Sequence, residues 1–329
     1  MSKKKKMPPN LGFGPTLESG LWNAAERLDR AGGTGKNYRS TAHSIAPILR
    51  SMGIQDVSEI RKHHLYAIGT FAREQIIEAG QDDPESINGR VGTWSNKRSH
   101  MNQLLLSMYG RQKVWVAPSK AIGLTRTGIR TQPVTCCQAA INTLADELIA
   151  EGFAREASIM LLARHLGLRL REAILLRPQD ALKQLAETGL CRIYWGTKGG
   201  VGKHIERLVP PPLDLLCLEV ALQTCRDHGA LNLIPADVGF KSVYFRAERV
   251  LLPRLKMIGI RCIHDLRAAY ACDAMFALTH CDPPIVVRED PPVLSLIDTP
   301  IETKQAKAEV SQRLGHLRIR VINSCCGRV

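Results

Sequence analysis

Gly167-Leu-Arg-Leu-Arg-Glu172 is the stretch of sequence that bears most strongly on the fold. It places Arg169 three residues before Glu172 in a segment of helical periodicity, so both side chains share one helical face. An ion pair between them is the ordinary outcome of that spacing. The stretch therefore becomes informative only together with the polar segments that follow it along the chain.

Three later segments each contain one or two polar groups. Lys198 lies at the tip of a predicted β-hairpin, and His264-Asp-Leu-Arg267 places a histidine and an arginine about one helical turn apart. Leu314-Gly-His316 is a predicted turn that ends in histidine. Taken singly, each has a structural explanation: a solvated lysine, a surface pair or cap, and a common turn. Their order is more specific than any one of them.

In this order the four segments resemble the catalytic set of the tyrosine recombinases, the phage-integrase superfamily. The resemblance covers roughly residues 135–327, and the preceding stretch is similar to the helical core-binding domain of that family. It implies a C-shaped clamp, with a small helical domain and a catalytic domain on opposite sides of duplex DNA. We therefore expect a mostly α fold with a small β-hairpin and two domains.

The resemblance implies catalytic roles for five residues. Arg169 and Arg267 would stabilise the charge that develops on the nonbridging phosphate oxygens through bidentate hydrogen bonds. Lys198 would protonate the departing 5′ oxygen as a general acid. His264 and His316 would hydrogen-bond the phosphate and help to manage the proton of the nucleophile. The resemblance implies no nucleotide cofactor and no metal ion.

The nucleophilic tyrosine of the family is missing from the matching position. The sequence after His316 reads LRIRVINSCCGRV, in which Cys325 takes the place of the tyrosine, and all six tyrosines precede Leu314. A thiol has a pKa of about 8.5, and nearby arginines are expected to lower it. Sulfur is nevertheless a soft nucleophile for phosphorus and a better leaving group than the alkoxide that it must expel. We therefore predict a protein that binds DNA but cleaves and rejoins it poorly or not at all.

Smaller features also depart from the family pattern. Ala268 stands where a histidine usually follows the arginine of the HxxR pair, and a Pro-rich insert at 279–300 lengthens the interval before His316. We expect that insert to be a surface loop. Glu172 is expected to orient Arg169 rather than to react.

Composition and charge indicate a polyanionic partner. The 329 residues are 44% hydrophobic, which supports a sizeable core and about two domains, and 45 Lys and Arg against 31 Asp and Glu give a net charge of +14. No apolar run is long enough to span a membrane, and the basic N-terminus has no apolar segment behind it. Ten cysteines without a CxxC motif favour reduced thiols, hence a cytoplasmic protein, associated with a bacterial nucleoid if it binds DNA.

One long stretch of the chain carries only positive charge. No acidic residue occurs from Ser86 to Ala145, as suits neutralisation of a phosphate backbone. A basic surface without a function is the alternative. The predicted DNA-binding residues of this stretch are Arg90, Lys97, Arg98, Arg111, Lys113, Lys120, Arg126 and Arg130.

The sequence predicts four segments. Residues 1–20 form a flexible basic tail, 21–117 a helical core-binding domain, 118–134 a linker rich in Pro and Gly, and 135–329 the catalytic domain. By resemblance, the protein would act on double-stranded DNA as a homo-oligomer, a tetramer, with residues 321–329 contacting a neighbouring subunit.

Several functions stay open at this point. Site-specific DNA recombination of the kind encoded by integrating mobile elements leads, and a cleavage-deficient DNA-binding relative is its first rival. A P-loop ATPase is suggested by KGGVGK at 198–203, but His204 follows where a hydroxyl residue is needed. A nonspecific DNA-compacting protein would show no preference among duplexes at raised salt.

Overall fold

The computed structural model describes most of the chain, in two compact units. The units are Met1–Thr127 and Gly128–Val329. No helix in the described part is long and apolar enough to cross a membrane. The described residues are 8–30, 35–80, 84–111, 115–130, 133–134, 137–197, 207–210, 215–286, 300–316 and 318–327.

The first unit consists of helices packed around one main apolar core. Leu21, Leu49, Leu65 and Met101 come from four different helices and are all buried in it. Pro47 lies within the second of these helices. The helices are α1 Leu17–Arg30, α2 Gly35–Ser51, α3 Lys62–Gly80, α4 Pro84–Tyr109 and α5 Pro118–Ile122, with short 3-10 helices at Pro9–Gly12 and Val57–Glu59.

Ordered structure in this unit begins earlier than the sequence suggested. The prediction of a flexible tail is wrong for residues 8–20, because Leu17 is buried one turn before Leu21 and extends α1. The buried side chain of Asn10 also holds the start of the chain: its Oδ1 accepts a hydrogen bond from the backbone N of Val57 at 2.9 Å. Asp56 Oδ2 in turn accepts from the backbone N of Asn10 at 2.6 Å.

The predicted linker at 118–134 is partly helical and packed. Its first residues form α5, which lies directly against α3. The approach is so close that a Cβ at Gly69 would come within 1.9 Å of the carbonyl oxygen of Ala121. The division between the two units falls later, after Thr127.

The second unit is also mostly helical, and its centre is a fully buried helix. Residues Glu156 to His165 are all buried, as expected for a helix that neighbours surround on every side. The elements are α6 Gln138–Ala150, α7 Ala154–His165, α8 Leu170–Leu175, α9 Pro178–Thr188, β1 Cys191–Arg192, β2 Leu208–Val209, α10 Leu216–Asp227, α11 Phe240–Met257, α12 Ile263–Thr279, α13 Pro300–Arg313 and α14 Asn323–Cys326, with a 3-10 helix at Ile319–Ile322.

The β structure among the described residues is one short antiparallel pair. Cys191 pairs with Val209 and Arg192 with Leu208, and the backbone N of Ile193 donates to Arg207 O at 3.0 Å. A mostly α fold with a small β-hairpin confirms the predicted fold class. Lys198 and the KGGVGK segment at 198–203 lie outside the described residues.

The Pro-rich insert is not a surface loop at its beginning. Helix α12 continues to Thr279 and ends at His280 in the left-handed conformation, φ 54°. Cys281 and Ile285 then pack into the core, and Ile285 O accepts from the backbone N of Val134 at 3.2 Å. These two apolar side chains bury the first part of the insert, which its proline content alone did not indicate. Residues 287–299 lie outside the described residues.

Candidate functional site

Arg169 is positioned by a tight connection between α7 and α8. Gly167 adopts φ +61°, a left-handed conformation that ends α7 and that glycine adopts without strain. A Cβ at Gly167 would also lie 2.4 Å from Tyr270 Cδ1. Arg169 is extended, at φ −71° and ψ 154°, and its backbone N donates to Glu172 Oε2 at 2.7 Å. Glu172 therefore caps the helix that begins after Arg169.

Glu172 is the fully buried centre of an arginine cluster. Its Oε1 lies 2.6 Å from Arg169 Nη1, and its Oε2 lies 2.5 Å from Arg207 Nη1 and 3.6 Å from Arg267 Nη1. Burial by itself raises the pKa of the Glu172 carboxyl, but the charges of Arg207, Arg169 and Arg267 outweigh burial and the pKa is lowered. The carboxylate is therefore ionised and holds all three guanidinium groups in place.

Arg267 is fully buried and fastens three segments together. Its Nη1 donates to the carbonyl of Gly167 and its Nη2 to the carbonyl of Leu314. Burial, followed by the charges of Arg207 and Arg169, lowers its pKa to about 9. The expected bidentate contact of Arg267 with a phosphate does not fit this geometry, because its side chain is 0% exposed and both terminal nitrogens face backbone carbonyls inside the unit. Arg267 is thus closed off from solvent, whereas the side chain of Arg169 is 24% exposed.

Arg207 is a member of the cluster that the sequence analysis missed. It is buried, and it donates from Nη2 to Gly167 O at 2.9 Å and from Nε to Arg313 O at 2.5 Å. Strand periodicity contained a signal, since Arg207 and Val209 share one face of the strand and Val209 is a core residue. An arginine on the inner face of a strand requires a buried anion, and Glu172 supplies it.

Two histidines stand beside the arginines. His316 Nε2 lies 3.4 Å from Arg267 Nη2, and because arginine only donates, Nε2 is the acceptor and Nδ1 carries the hydrogen. Burial and then the charges of Arg267, Arg169 and Arg207 lower the pKa of His316 to about 4. Desolvation, followed by Arg267 and Arg169, also lowers the pKa of His264, although part of its side chain is exposed. Both rings are therefore neutral at pH 7.

Arg169 and His264 also share a surface depression. An open cavity of about 430 Å³ has both residues in its wall, together with Arg171 and Tyr244. No other described residue hydrogen-bonds the ring of His264. The exposed N–H groups of this cavity can donate to an anion that enters from solvent. No group of three His, Cys, Asp or Glu side chains suited to a metal ion occurs in the described part.

Cys325 lies at the same site but is not activated. It is 1% exposed in α14, and its backbone oxygen lies 3.8 Å from Cys272 Sγ. Burial raises the pKa of the Cys325 thiol above its usual value, although Arg267, Arg130 and Arg169 act in the opposite direction. The arginines do lower this pKa as expected, but desolvation of the thiolate is the larger effect, so the expected net lowering is wrong. At neutral pH the sulfur is a protonated thiol.

The predicted DNA-binding residues fall into distinct environments. Lys97 is half-buried, with Nζ 4.7 Å from the centre of the Trp94 ring. Lys113 lies outside the described residues. The exposed members are Arg90, Arg111, Lys120 and Arg126.

Two of these predictions are wrong because the side chains are buried. Arg98 is 0% exposed on the core side of α4, with Nη1 3.1 Å from Met101 Sδ, and burial lowers its pKa to about 10. Arg130 has a side chain only 9% exposed and pairs with Asp265 at 2.8 Å. Neither guanidinium can reach a phosphate at the surface.

Comparisons with known proteins identify the fold. No family model and no curated protein sequence matches the chain. Among solved structures, a lambda integrase tetramer bound to a Holliday junction matches with 13% identity, covering 97% of this chain and 80% of that one, at a TM-score of 0.55. A lambda integrase dimer bound to a COC′ core site matches with 15% identity, covering 95% and 96%, also at 0.55.

The likeness extends over nearly the whole chain and agrees with the observed helical architecture. At this level of identity the similarity concerns the fold rather than the activity. The chain has the fold of the tyrosine recombinases, the phage-integrase fold.

Proposed function

We propose that this protein binds duplex DNA and holds a backbone phosphate at Arg169, His264 and His316, but cleaves the strand poorly because of Cys325. The observation that carries the proposal is the convergence of three arginines and two neutral histidines beside a buried thiol. The cations attract the phosphate, and the ionisation of the Cys325 thiol determines whether the strand is cleaved.

Phosphate binding would use the groups that are free to donate. Arg169 uses Nη1 for Glu172, and its partly exposed side chain leaves further N–H groups for phosphate oxygens. His264 stands in the same cavity wall. His316 would donate from Nδ1, since its Nε2 accepts from Arg267. Arg267 and Arg207 would act through Arg169 and Glu172, as positioning residues.

Strand cleavage requires an ionised nucleophile at the end of this array. Attack by Cys325 would form a sulfur–phosphorus bond, break the bond to the 5′ oxygen and require a proton for that oxygen, a role proposed for Lys198. A buried thiol with a raised pKa is rarely ionised at pH 7. The product would also revert, because thiolate leaves phosphorus more readily than alkoxide does.

Two broader roles are consistent with this chemistry. The protein could occupy integration sites of a mobile element, or complete an oligomer with an active recombinase. Lambda integrase forms dimers and a tetramer on DNA in the matched structures. We extend such assembly to this chain, with residues 321–329 contacting a neighbour, and place its action on DNA in the bacterial cytoplasm.

Restoring the phenol tests the proposal. Duplexes that the protein binds are first selected from a random pool, and nicked versions are then used as suicide substrates that trap a covalent complex. Cys325→Tyr is expected to form the complex and the unmodified protein is not. Cys326→Tyr is the matched control, because Cys326 is adjacent and equally buried at 2% exposure.

Two controls separate an effect on folding from an effect on the reaction. The melting temperatures of both tyrosine variants show whether each variant still folds. Cys325→Ser removes the sulfur without adding a larger side chain. A robust covalent complex with the unmodified protein would contradict the proposed deficiency. Failure of the unmodified protein to select any duplex would contradict DNA binding itself.

A further inference from the structure

A second pair of arginines in the same unit faces aromatic rings, and one of them, Arg177, also pairs with Asp180 at 3.9 Å. Tyr194 and Trp195, just after β1, are each 44% exposed although both are large aromatic residues. The guanidinium of Arg177 lies 5.3 Å from the centre of the Trp195 ring, and that of Arg192 lies 5.6 Å from the Tyr194 ring. Arg192 Nη1 also donates to the Tyr194 hydroxyl at 2.8 Å. The rings are therefore held in place without being covered.

These side chains line a concave cavity of about 270 Å³. Leu176 and Ala181 form apolar parts of its wall, and Asp180 and Gln184 add polar groups. Gln184 Oε1 accepts from the backbone N of Arg192 at 2.9 Å, so its amide nitrogen is the group that can donate. Among the described residues of the wall, two guanidinium groups stand against one carboxylate, and Arg177 Nη1 lies 3.9 Å from Asp180 Oδ2. A planar ligand that carries negative charge fits this combination.

The cavity lies close to the proposed phosphate site. It begins at Leu176, which directly follows α8, and Arg169 directly precedes the same helix. Six residues of helix span about 9 Å, the rise of about three base pairs. Gly196 strengthens this link, because a Cβ there would lie 2.8 Å from Arg171 O in α8. A DNA strand with a phosphate at Arg169 would therefore bring neighbouring nucleotides near the cavity.

We propose that this cavity binds an unpaired nucleobase of the DNA strand, stacked on Trp195 or Tyr194, with Arg177 and Arg192 holding its phosphate. The inference rests on the proposed function, because it assumes a strand at Arg169. Stacking on aromatic rings and contacts with arginine are the means by which proteins hold unstacked bases. A paired base inside a duplex presents only its edges, so a concave aromatic pocket favours a base outside the stack.

The test compares two duplexes of the same sequence, one fully paired and one with a single unpaired base. The unmodified protein is expected to bind the second more tightly, and Trp195→Ala should lose about tenfold in affinity for it while retaining affinity for the paired duplex. Trp195→Phe should retain the preference, because phenylalanine also stacks. Trp22→Ala is the matched control, since Trp22 is 46% exposed in the other unit.

A separate measurement distinguishes this inference from the proposed function. In a variant with Trp22, Trp94 and Trp115 changed to phenylalanine, Trp195 is the only tryptophan and its fluorescence reports base stacking directly. A short oligodeoxyadenylate is expected to quench it. Quenching without any duplex binding would defeat the proposed function but support the pocket. Absence of quenching, no preference for the unpaired base, or an equal loss on both duplexes would overturn the pocket.

Discussion

Each of the two units contains completely buried arginine side chains, but the units differ in the acceptors that surround the buried guanidinium groups. In the first unit, Arg98 is 0% exposed, and neither its Nε nor its Nη2 has a hydrogen-bond acceptor among the described residues. In the second unit, Arg207 and Arg267 are just as buried but lie around the carboxylate of Glu172 and donate to backbone carbonyls, and of their nitrogens Arg267 Nε alone lacks an acceptor among the described residues.

The difference shows that a buried arginine has a structural effect on its neighbours only where a carboxylate or carbonyl groups hold it. An isolated buried cation only destabilises the native state, whereas a cation held by a carboxylate and carbonyls fixes the geometry of its neighbours. The cluster at Glu172 fixes Arg169 at a surface cavity and Arg267 beside His316. Arg98 holds nothing comparable. Buried arginines paired with a carboxylate, rather than positive charge alone, therefore mark the candidate site.

The largest expected effect comes from removing the charge at the centre of the cluster. Glu172→Gln leaves Arg207 and Arg267 buried without a full countercharge, and we expect it to lower the free energy of unfolding of the second unit by about 3–5 kcal/mol. Urea denaturation in the background with Trp195 as sole tryptophan measures this. Glu187→Gln is the control, because Glu187 is 59% exposed. A loss no larger than that of the control would contradict the central role of Glu172.

The opposite change in the first unit is expected to stabilise it. Arg98→Met replaces unsatisfied donors with an apolar side chain of similar length, and we expect a gain of about 1–3 kcal/mol in the free energy of unfolding. Urea denaturation of the protein with Trp195 changed to phenylalanine follows the three tryptophans of the first unit. Arg90→Met, at an exposed position, should change stability by less than about 0.5 kcal/mol. If Arg98→Met instead destabilises the first unit, the guanidinium of Arg98 makes a stabilising interaction and this prediction is wrong.

A smaller effect is expected from pH, and it should be confined to one window. The folded pKa of His316 is about 4, below the ordinary value of 6.5, so the unfolded chain binds a proton that the native site does not. Stability from this group is full above pH 6.5 and decreases as pH falls toward 4. The desolvated ring of His264 adds in the same direction.

Melting temperatures of the second unit at pH 7 and pH 5 measure this effect. His316→Gln should reduce the difference between the two values. The lowered pKa values of Glu172 and Asp265 do not interfere, because stability from lowered carboxyl groups is lost only below their ordinary values of 4.5 and 3.8. An unchanged pH dependence in His316→Gln would break the proposed link between the arginine cluster and this histidine.

The sequence contained the polar residues of the site but not their burial. Order and spacing were enough to bring Arg169, His264, Arg267 and His316 into one hypothesis, and the structure places them together. Arg207 was not predicted, because it lies on the inner face of a short strand and its partner, the carboxylate of Glu172, is 35 residues away in the sequence. The sequence also could not show that Arg267 donates to the carbonyl groups of Gly167 and Leu314, because hydrogen bonds to the backbone cannot be recognised from residue types.

The charge pattern predicted more surface arginines than the structure has, for a related reason. A stretch without acidic residues does not distinguish an outward arginine from one on the core side of a helix, as Arg98 is, or from one paired with a distant carboxylate, as Arg130 is. Cys325 shows the same limit, because desolvation depends on the surrounding core and reversed the expected direction of its pKa.

Gly167 has a consequence for how this sequence can vary. Its positive φ and the closeness of Tyr270 forbid any larger residue, while its carbonyl receives hydrogen bonds from both Arg207 and Arg267. Gly167 therefore meets two separate requirements: a backbone conformation with no space for a side chain, and a carbonyl group placed to accept from both arginines. In a library of random substitutions, selection for the folded protein should therefore leave Gly167 unchanged while its exposed neighbours vary.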